Sequence, residues 1–173
     1  LSGRPNAGGW NFPGFAPDES VRMNTEVSIV VPVFNGAATI ASTVEHLLNQ
    51  SLPPREIIVV DDGSTDNTAD ALKPFENQIC YHFKPNGGPA SARNFGARLA
   101  TAEFIAFTDS DCLPDRDWLK HLLAGFDSSD IAGVGGSVKS VDDGLLGEYI
   151  DLLRVMEPAE NVTGEIEYLI TAN

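Results

Sequence analysis

Cysteine and basic residues are both scarce in this chain, and each shortage excludes a class of protein. Only two of the 173 residues are cysteines, Cys80 and Cys112, and their separation fits neither a disulfide framework nor a metal cluster. We therefore expect two ordinary thiols in a reducing compartment. Lys and Arg total 11 against 25 Asp and Glu, which gives a formal net charge of -14. Because that charge repels polyanions, nucleic acid is not an expected partner.

Long apolar runs are also lacking. No segment approaches the roughly 20 residues of a membrane-spanning helix, and nothing resembles a signal peptide. We expect no membrane segment in this chain and a cytoplasmic location, with any attachment to the inner face of a membrane left to regions not present here. The chain contains neither a Walker-type phosphate loop nor a Gly-x-Gly-x-x-Gly motif, which counts against a P-loop hydrolase and a Rossmann dehydrogenase.

What the chain does contain is an alternation of β-branched runs with helical periodicity. Hydrophobic residues make up 42% of the sequence, enough for one domain with a core. The pattern predicts strands at 27–33, 56–60, 79–83 and 104–107. It predicts a helix over the apolar positions 40–48 that Pro53-Pro54 stops, a short helix near 67–72, a helix from about 90 to 99, and a helix that Pro114 opens with its apolar face at 118–126. It also predicts a strand at 131–141, a helix at 145–156 and a strand at 166–170. This order indicates an α/β fold with an open, mostly parallel sheet flanked by helices.

The first 25 residues differ in composition from the remainder. They are rich in Gly, Pro and Asn and show no periodic pattern, so we interpret 1–25 as a loosely ordered arm or linker before a domain at 26–173. Three aromatic residues in this arm, Trp10, Phe12 and Phe15, favour an arm that lies on the domain over a free tail.

Two acids follow the strand predicted at 104–107. If the chain stays extended, Asp109 and Asp111 point to the same side and present two carboxylates to one point. Two oxygen ligands leave most of an octahedral shell open, which suits Mg²⁺ or Mn²⁺ shared with the phosphates of a substrate. The alternative is an ordinary solvated turn at the end of a strand.

Other chemically active residues follow the neighbouring strands. Ligands of open α/β sheets bind beyond the carboxyl ends of the strands, where Asp61 and Asp62 would meet the acids at 109 and 111. The turn at Gly88 lets the backbone approach closely, and amides at a helix start favour phosphate oxygens. Arg93, one turn into that helix, offers a planar fork of donors to a diphosphate. The pattern describes a nucleoside diphosphate site.

Five segments in this order carry a family resemblance: VSIVVPVFN at 27–35, LLNQS at 47–51, EIIVVDDGSTD at 56–66, NGGPASARN at 86–94 and FTDSD at 107–111. From residue 27 to about 140, the chain resembles family 2 glycosyltransferases of the GT-A fold. The resemblance implies an enzyme that moves a sugar from a nucleotide-diphosphate sugar, favouring a UDP-sugar, to an acceptor hydroxyl. It implies metal dependence and inversion at the anomeric carbon.

The resemblance also implies a set of nucleotide-sugar-binding residues: Pro32, Phe34, Asn35, Asp61, Asp62, Gly88, Arg93, Asp109 and Ser110. Within this set Asp61 would accept hydrogen bonds from the nucleobase, and Arg93 would lie near the base or the diphosphate. By the same resemblance Asp109 would lie near the ribose or sugar hydroxyls and Asp111 on the metal. Together with the spacing of the two acids this predicts that Asp109 and Asp111 hold Mn²⁺ or Mg²⁺, which would neutralise the departing nucleoside diphosphate. Structural roles remain open for four of the polar residues, as turn or cap residues: Asp62, Asp66, Asn49 and Gln50.

A catalytic base is not recognisable in this sequence. Inverting members need a carboxylate that deprotonates the acceptor hydroxyl, normally well after the Asp-x-Asp motif. Four late acids, Glu157, Glu160, Glu165 and Glu167, stand in no recognisable base motif. We therefore expect the base beyond Asn173, and a donor-binding part whose acceptor half is missing or incomplete. The acceptor, whether saccharide, lipid or protein, is not identified.

Two alternatives remain open. A sugar-phosphate nucleotidyltransferase would carry a Gly-rich basic loop after the first strand, but residues 34–38 read FNGAA and contain no Lys or Arg. A nucleotide-sugar-binding domain without turnover would share the donor residues and lack the base.

Overall fold

The computed structural model describes residues 27–126, 131–137 and 139. The chain divides into two compact units, Leu1–His121 and Leu122–Asn173, and the sheet belongs to the first. Its strands are β1 (Val27–Val33), β2 (Glu56–Asp61), β3 (Cys80–Phe83) and β4 (Phe104–Phe107). The helices are α1 (Ile40–Leu48), α2 (Thr68–Leu72), α3 (Pro89–Leu99) and α4 (Trp118–Ala124), with a 3₁₀ turn at Lys73–Phe75. The four strands are all parallel, in the order β3-β2-β1-β4, which confirms the predicted α/β sheet.

The two central strands form the core. All seven residues of β1 are buried, as are five of the six in β2, which fits a parallel sheet covered on both faces. α3 packs against Val30, Ile58 and Val60. Gly96 of α3 lies so close to the sheet that a Cβ there would fall 2.4 Å from Cγ1 of Val30. This close approach holds α3 tightly against β1 and β2.

Strand register brings the carboxyl ends of the strands to one edge of the sheet, called the carboxyl edge below. Val33 lies opposite Asp61, and Asp61 lies opposite Phe83. The backbone ladder continues just past the strands, because Asp62 N donates to Val33 O at 2.8 Å and Lys84 N donates to Asp61 O at 2.9 Å. The loops after β1, β2 and β3 therefore start side by side.

The prediction of a strand at 131–141 is wrong for those residues of the range that the structure describes. Positions 131–137 and 139 adopt neither helix nor strand. Gly135 and Gly136 have open space where a side chain would stand, and glycine gives a strand no side chain to pack. The predicted arm at 1–25, helix at 145–156 and strand at 166–170 lie outside the described residues. Among the helices that are described, none has the length and apolar character needed to cross a membrane.

Candidate functional site

Asp61 is the last residue of β2, and both oxygens of its carboxylate accept hydrogen bonds from the same chain. The residue is 1% exposed. Its Oδ1 accepts a hydrogen bond from Ser64 N at 2.7 Å, and its Oδ2 accepts one from the Tyr81 hydroxyl at 2.7 Å. Burial, together with this bond to a carboxylate, raises the pKa of the Tyr81 phenol well above its usual range, so Tyr81 stays a donor. Asp61 thereby anchors the turn after β2, through a tyrosine that the sequence analysis missed.

Asp62 holds the loop that leads into α3. This loop, residues 84–88, is called the glycine loop below. The Asp62 carboxylate pairs with Lys84 and accepts hydrogen bonds from Gly87 N at 3.0 Å and from Gly88 N at 2.7 Å. Burial opposes ionisation of Asp62, but Lys84 and the two amides outweigh it and lower the pKa of the carboxyl group.

The amides of the glycine loop bond to the chain itself, because Gly87 and Gly88 both donate to Asp62. The contact between phosphate oxygens and the start of α3 stays a prediction. Lys84 was missed by the sequence analysis. The available signal was a basic residue directly after β3, at the edge where the acids collect.

The loop after β1 combines an exposed aromatic ring with a fixed backbone. Phe34 is 52% exposed. Asn35 adopts φ +52°, a left-handed conformation that asparagine tolerates better than most residues. Asn35 N donates to Ser64 Oγ at 2.8 Å, and Asn35 Oδ1 accepts from Thr65 N at 2.8 Å. Pro32 precedes this loop and is buried inside β1, opposite Val60.

Asp66 ties the same loop to the start of α2. Its Oδ2 accepts a hydrogen bond from Ala37 N at 3.1 Å, while its Oδ1 accepts from the backbone and hydroxyl of Thr68. Gly36 N donates to Thr68 Oγ1 at 2.9 Å. The bond from the Thr68 hydroxyl is the main reason that the pKa of Asp66 is lowered. Asp66 is therefore a turn residue, one of the two structural roles left open for it, and it stands directly before Asn67, the N-cap of α2.

The Asp-x-Asp segment is a turn rather than an extension of β4. The strand ends at Phe107, and Cys112 N donates to Asp109 O at 3.3 Å. This bond closes a turn over 109–112, called the acid turn below. Thr43 of α1 supports the turn, since its hydroxyl donates to Ser110 O at 2.9 Å. The expected extended geometry is therefore wrong: the two carboxylates occupy the first and third positions of a turn.

Arg93 joins α3 to the acid turn. One terminal nitrogen of its guanidinium lies 2.5 Å from Asp109 Oδ1. The Arg93 side chain is 13% exposed and that of Asp109 is 29% exposed. The contact uses one of the five donors of the guanidinium. The basic group predicted for the site is thus held at the acid turn.

The acid turn suits a divalent cation that is shared with a ligand. Asp111 is exposed, and Asp109 offers a second carboxylate two residues away. An all-oxygen donor set of one or two carboxylates plus phosphates is what Mg²⁺ commonly uses, and Mn²⁺ favours the same ligands. In the part of the chain that the structure describes, no group of three or more His, Cys, Asp or Glu could hold an ion alone. The residues fit a cation completed by substrate oxygens.

The segment after the acid turn is fastened by the end of α1. Gln50 is buried; its Nε2 donates to Asp115 O at 2.6 Å, and its Oε1 accepts from Leu119 N at 3.1 Å. Asn49 Nδ2 donates to Glu45 O at 2.8 Å. The helix-capping interpretation of this pair is confirmed, and Gln50 additionally caps the start of α4.

Comparisons with known proteins agree with this geometry. The model of the family described as "Glycosyl transferase family 2" matches residues 28–165. Glycosyltransferase GlyG of Streptococcus pneumoniae is 34% identical over 125 residues, which cover 70% of this chain and 42% of that protein. Validoxylamine A glucosyltransferase of Streptomyces hygroscopicus subsp. jinggangensis is 40% identical over 104 residues, 57% of this chain and 25% of that protein.

Solved structures agree as well. TarS 1-349 of S. aureus in complex with UDP-GlcNAc has a TM-score of 0.53 at 29% identity, covering 65% of this chain and 38% of that one. The mannosyltransferase PcManGT of Pyrobaculum calidifontis, in complex with GDP-Man and Mn²⁺, has a TM-score of 0.57 at 29% identity. It covers 72% of this chain and 38% of that one.

The chain spans only part of its relatives, 21% of an uncharacterized glycosyltransferase of Rickettsia bellii and 42% of GlyG. The family match nevertheless extends over most of the present sequence. The order of the parallel strands and the similarity to the two solved enzymes identify the sheet as that of a GT-A fold. The chain belongs to glycosyl transferase family 2.

Proposed function

We propose that the protein transfers a sugar from a nucleotide-diphosphate sugar to an acceptor hydroxyl, and that this chain holds the donor. One observation carries the proposal: Arg93 pairs with Asp109 on the acid turn, which also bears the exposed Asp111, so that a cation and a guanidinium can share one diphosphate. Family membership supports sugar transfer. The complexes of TarS with UDP-GlcNAc and of PcManGT with GDP-Man and Mn²⁺ support a nucleotide-sugar donor and a divalent metal.

The residues proposed to bind the donor are the ones predicted from the sequence: Pro32, Phe34, Asn35, Asp61, Asp62, Gly88, Arg93, Asp109 and Ser110. Asp109 and Asp111 are proposed to bind Mn²⁺ or Mg²⁺. The exposed ring of Phe34 offers a face on which a nucleobase can stack. Asp61 already accepts one bond on each oxygen, so a base donor would use a second lone pair. We favour a uracil nucleotide.

Each part of the site has its own task in the transfer. A bound cation supplies charge that stabilises the departing nucleoside diphosphate. Arg93 pairs with Asp109 and keeps further guanidinium donors for phosphate oxygens beside it. The proposed inversion requires the acceptor oxygen to bond to the anomeric carbon as the bond to the phosphate oxygen breaks. The carboxylate that takes the acceptor proton is expected outside the described residues.

Calorimetric titration of UDP and GDP, with and without Mn²⁺, tests the donor site. We expect one of the two to bind in a Mn²⁺-dependent manner, and Asp111→Ala to weaken that binding by at least about tenfold, since a cation ligand is lost. Glu103→Ala is the matched control, because Glu103 is an exposed acid just before β4. If the Asp111→Ala and Glu103→Ala variants bind the nucleotide equally strongly, the metal role of Asp111 is contradicted. If neither nucleotide binds under any condition, the donor role of this chain is contradicted.

A further inference from the structure

The most deeply buried ion pair among the described residues joins Asp62 to Lys84. The Asp62 side chain is 4% exposed and that of Lys84 is 15% exposed. A buried carboxylate without a counter-charge is strongly unfavourable. Lys84 supplies that charge, and its Nζ also donates to Pro85 O at 2.8 Å. The ammonium is therefore held at two points, at the start of the glycine loop.

The same carboxylate fixes the end of the glycine loop. Gly87 N and Gly88 N both donate to it, and Gly88 adopts φ +85° immediately before Pro89, the first residue of α3. The turn after β2 lies in close contact with this loop, since a Cβ at Gly63 would lie 2.8 Å from Asn86 N. One carboxylate thus determines where α3 begins.

The start of α3 in turn determines where Arg93 lies. Arg93 is the fifth residue of an 11-residue helix and reaches Asp109 of the acid turn. A shift of the glycine loop that is passed on to the first turns of α3 would displace the Arg93 guanidinium as well. A displacement of 1 Å is large for a group that must meet a diphosphate.

We infer that Lys84 is a positioning residue for the donor site: its ammonium holds the Asp62 carboxylate against the amides of Gly87 and Gly88, and so sets the place from which Arg93 reaches the acid turn. The consequence for nucleotide binding rests on the proposed function. The consequence for the glycine loop is a property of the chain alone, so the two are measured separately.

Amide hydrogen exchange without nucleotide tests the loop. In Lys84→Met, which keeps most of the stem and removes the charge, we expect the amides of Gly87 and Gly88 to exchange at least about tenfold faster. The amides of β1 should keep their rates. The matched control is Lys73→Met, which breaks an exposed ion pair with Asp70 and should leave both glycines unchanged. Should Lys84→Met fail to fold, Lys84→Gln replaces it under the same criterion.

Nucleotide titration with Mn²⁺ tests the consequence for the site. We expect Lys84→Met to raise the Kd of the bound nucleotide by about tenfold, and Lys84→Arg, which keeps the charge, to recover most of the loss. Unchanged exchange at Gly87 and Gly88 would overturn the inference whatever the nucleotide does. Faster exchange with an unchanged Kd would overturn the link to Arg93. A wild-type chain that binds neither nucleotide would instead overturn the proposed function and leave the exchange result to decide the role of Lys84.

Discussion

At the scale of single residues, the partner of Arg93 is what the structure adds to the sequence. The residue type and its place in the first turns of α3 were predictable from the NGGPASARN segment. Its ion pair with Asp109 was not, because the pair joins residues 16 positions apart through side-chain conformations that no pattern encodes. The same holds for Asp61 with Tyr81, which joins the end of β2 to the second residue of β3, and for Asp62 with Lys84, which joins the residues that follow these two strands.

We expect Arg93→Lys to weaken nucleotide binding by about tenfold, or about 1.4 kcal/mol. The substitution keeps the charge but loses the planar fork of donors that can bridge Asp109 and a diphosphate. Arg98→Lys is the control, since Arg98 is exposed in the last turn of the same helix. Calorimetry with Mn²⁺ measures both; equal affinities in the two variants would count against a diphosphate contact by Arg93.

His82 is expected to make folding stability depend on pH. Burial, only partly opposed by the charge of Glu56, lowers the pKa of His82 from its usual 6.5. Below 6.5 the unfolded chain therefore binds a proton that the folded chain resists, so stability rises with pH across this range and is lost as pH falls.

Urea unfolding midpoints between about pH 8 and 5 test this, in a window above the carboxylate titrations. The midpoint should fall toward acid pH in the wild type and less steeply in His82→Gln. His121→Gln, at an exposed position of α4, should keep the wild-type slope. Identical slopes in all three proteins would rule out His82 as the source.

At the scale of elements, the sequence located most helices and strands in the first unit to within a residue or two. Apolar periodicity decides these elements, and it is visible in the sequence: β1 begins and ends where predicted, and α1 spans the predicted apolar positions 40–48. The exception is α4, which begins at Trp118 and not at Pro114 as predicted. β2 runs one residue further, to Asp61, because that residue pairs with Val33. The failure at 131–137 came from glycines, whose backbone preference the β-branched neighbours did not override.

The junction of α1 and α4 offers a test of buried hydrogen bonding. Gln50→Ala leaves Asp115 O and Leu119 N without their partner, and we expect a loss of about 2–4 kcal/mol in the free energy of unfolding. The neighbouring Asn49→Ala removes one exposed hydrogen bond to Glu45 O and should cost no more than about 1 kcal/mol. Chemical denaturation compares the two; similar losses would show that burial of the Gln50 bonds is not what matters.

At the scale of the whole molecule, charge is the dominant feature. A formal net charge of -14 on 173 residues makes the compact state repel itself. We expect the melting temperature to rise as NaCl increases from about 10 mM to 150 mM, because the Debye length shortens from about 30 to 8 Å. Scanning calorimetry measures the shift. MgCl₂ at equal ionic strength is the comparison, and an additional rise there would indicate cation binding beyond screening; a flat response to NaCl would contradict the repulsion.

The general position of the candidate site was predictable at this scale, because parallel strands end at one edge and their terminal acids must meet there. What could not be predicted is which of these acids already accept hydrogen bonds from other residues of the chain. Asp61, Asp62 and Asp66 all hold loops through hydrogen bonds, whereas the side chain of Asp111 in the acid turn is exposed.

The strand order β3-β2-β1-β4 also bears on how the protein is made. Of the described strands β1 is synthesised first, yet it lies between β2 and β4 and lacks one neighbour until Phe107 has been added. At about 5–20 residues per second, roughly 4–15 s pass between the end of β1 and the end of β4. Throughout that interval one side of the VSIVVPV segment is an unpaired edge of the kind that pairs with other chains. A strand that has neighbours on both sides in the described sheet is thus open to other chains while the protein is being made.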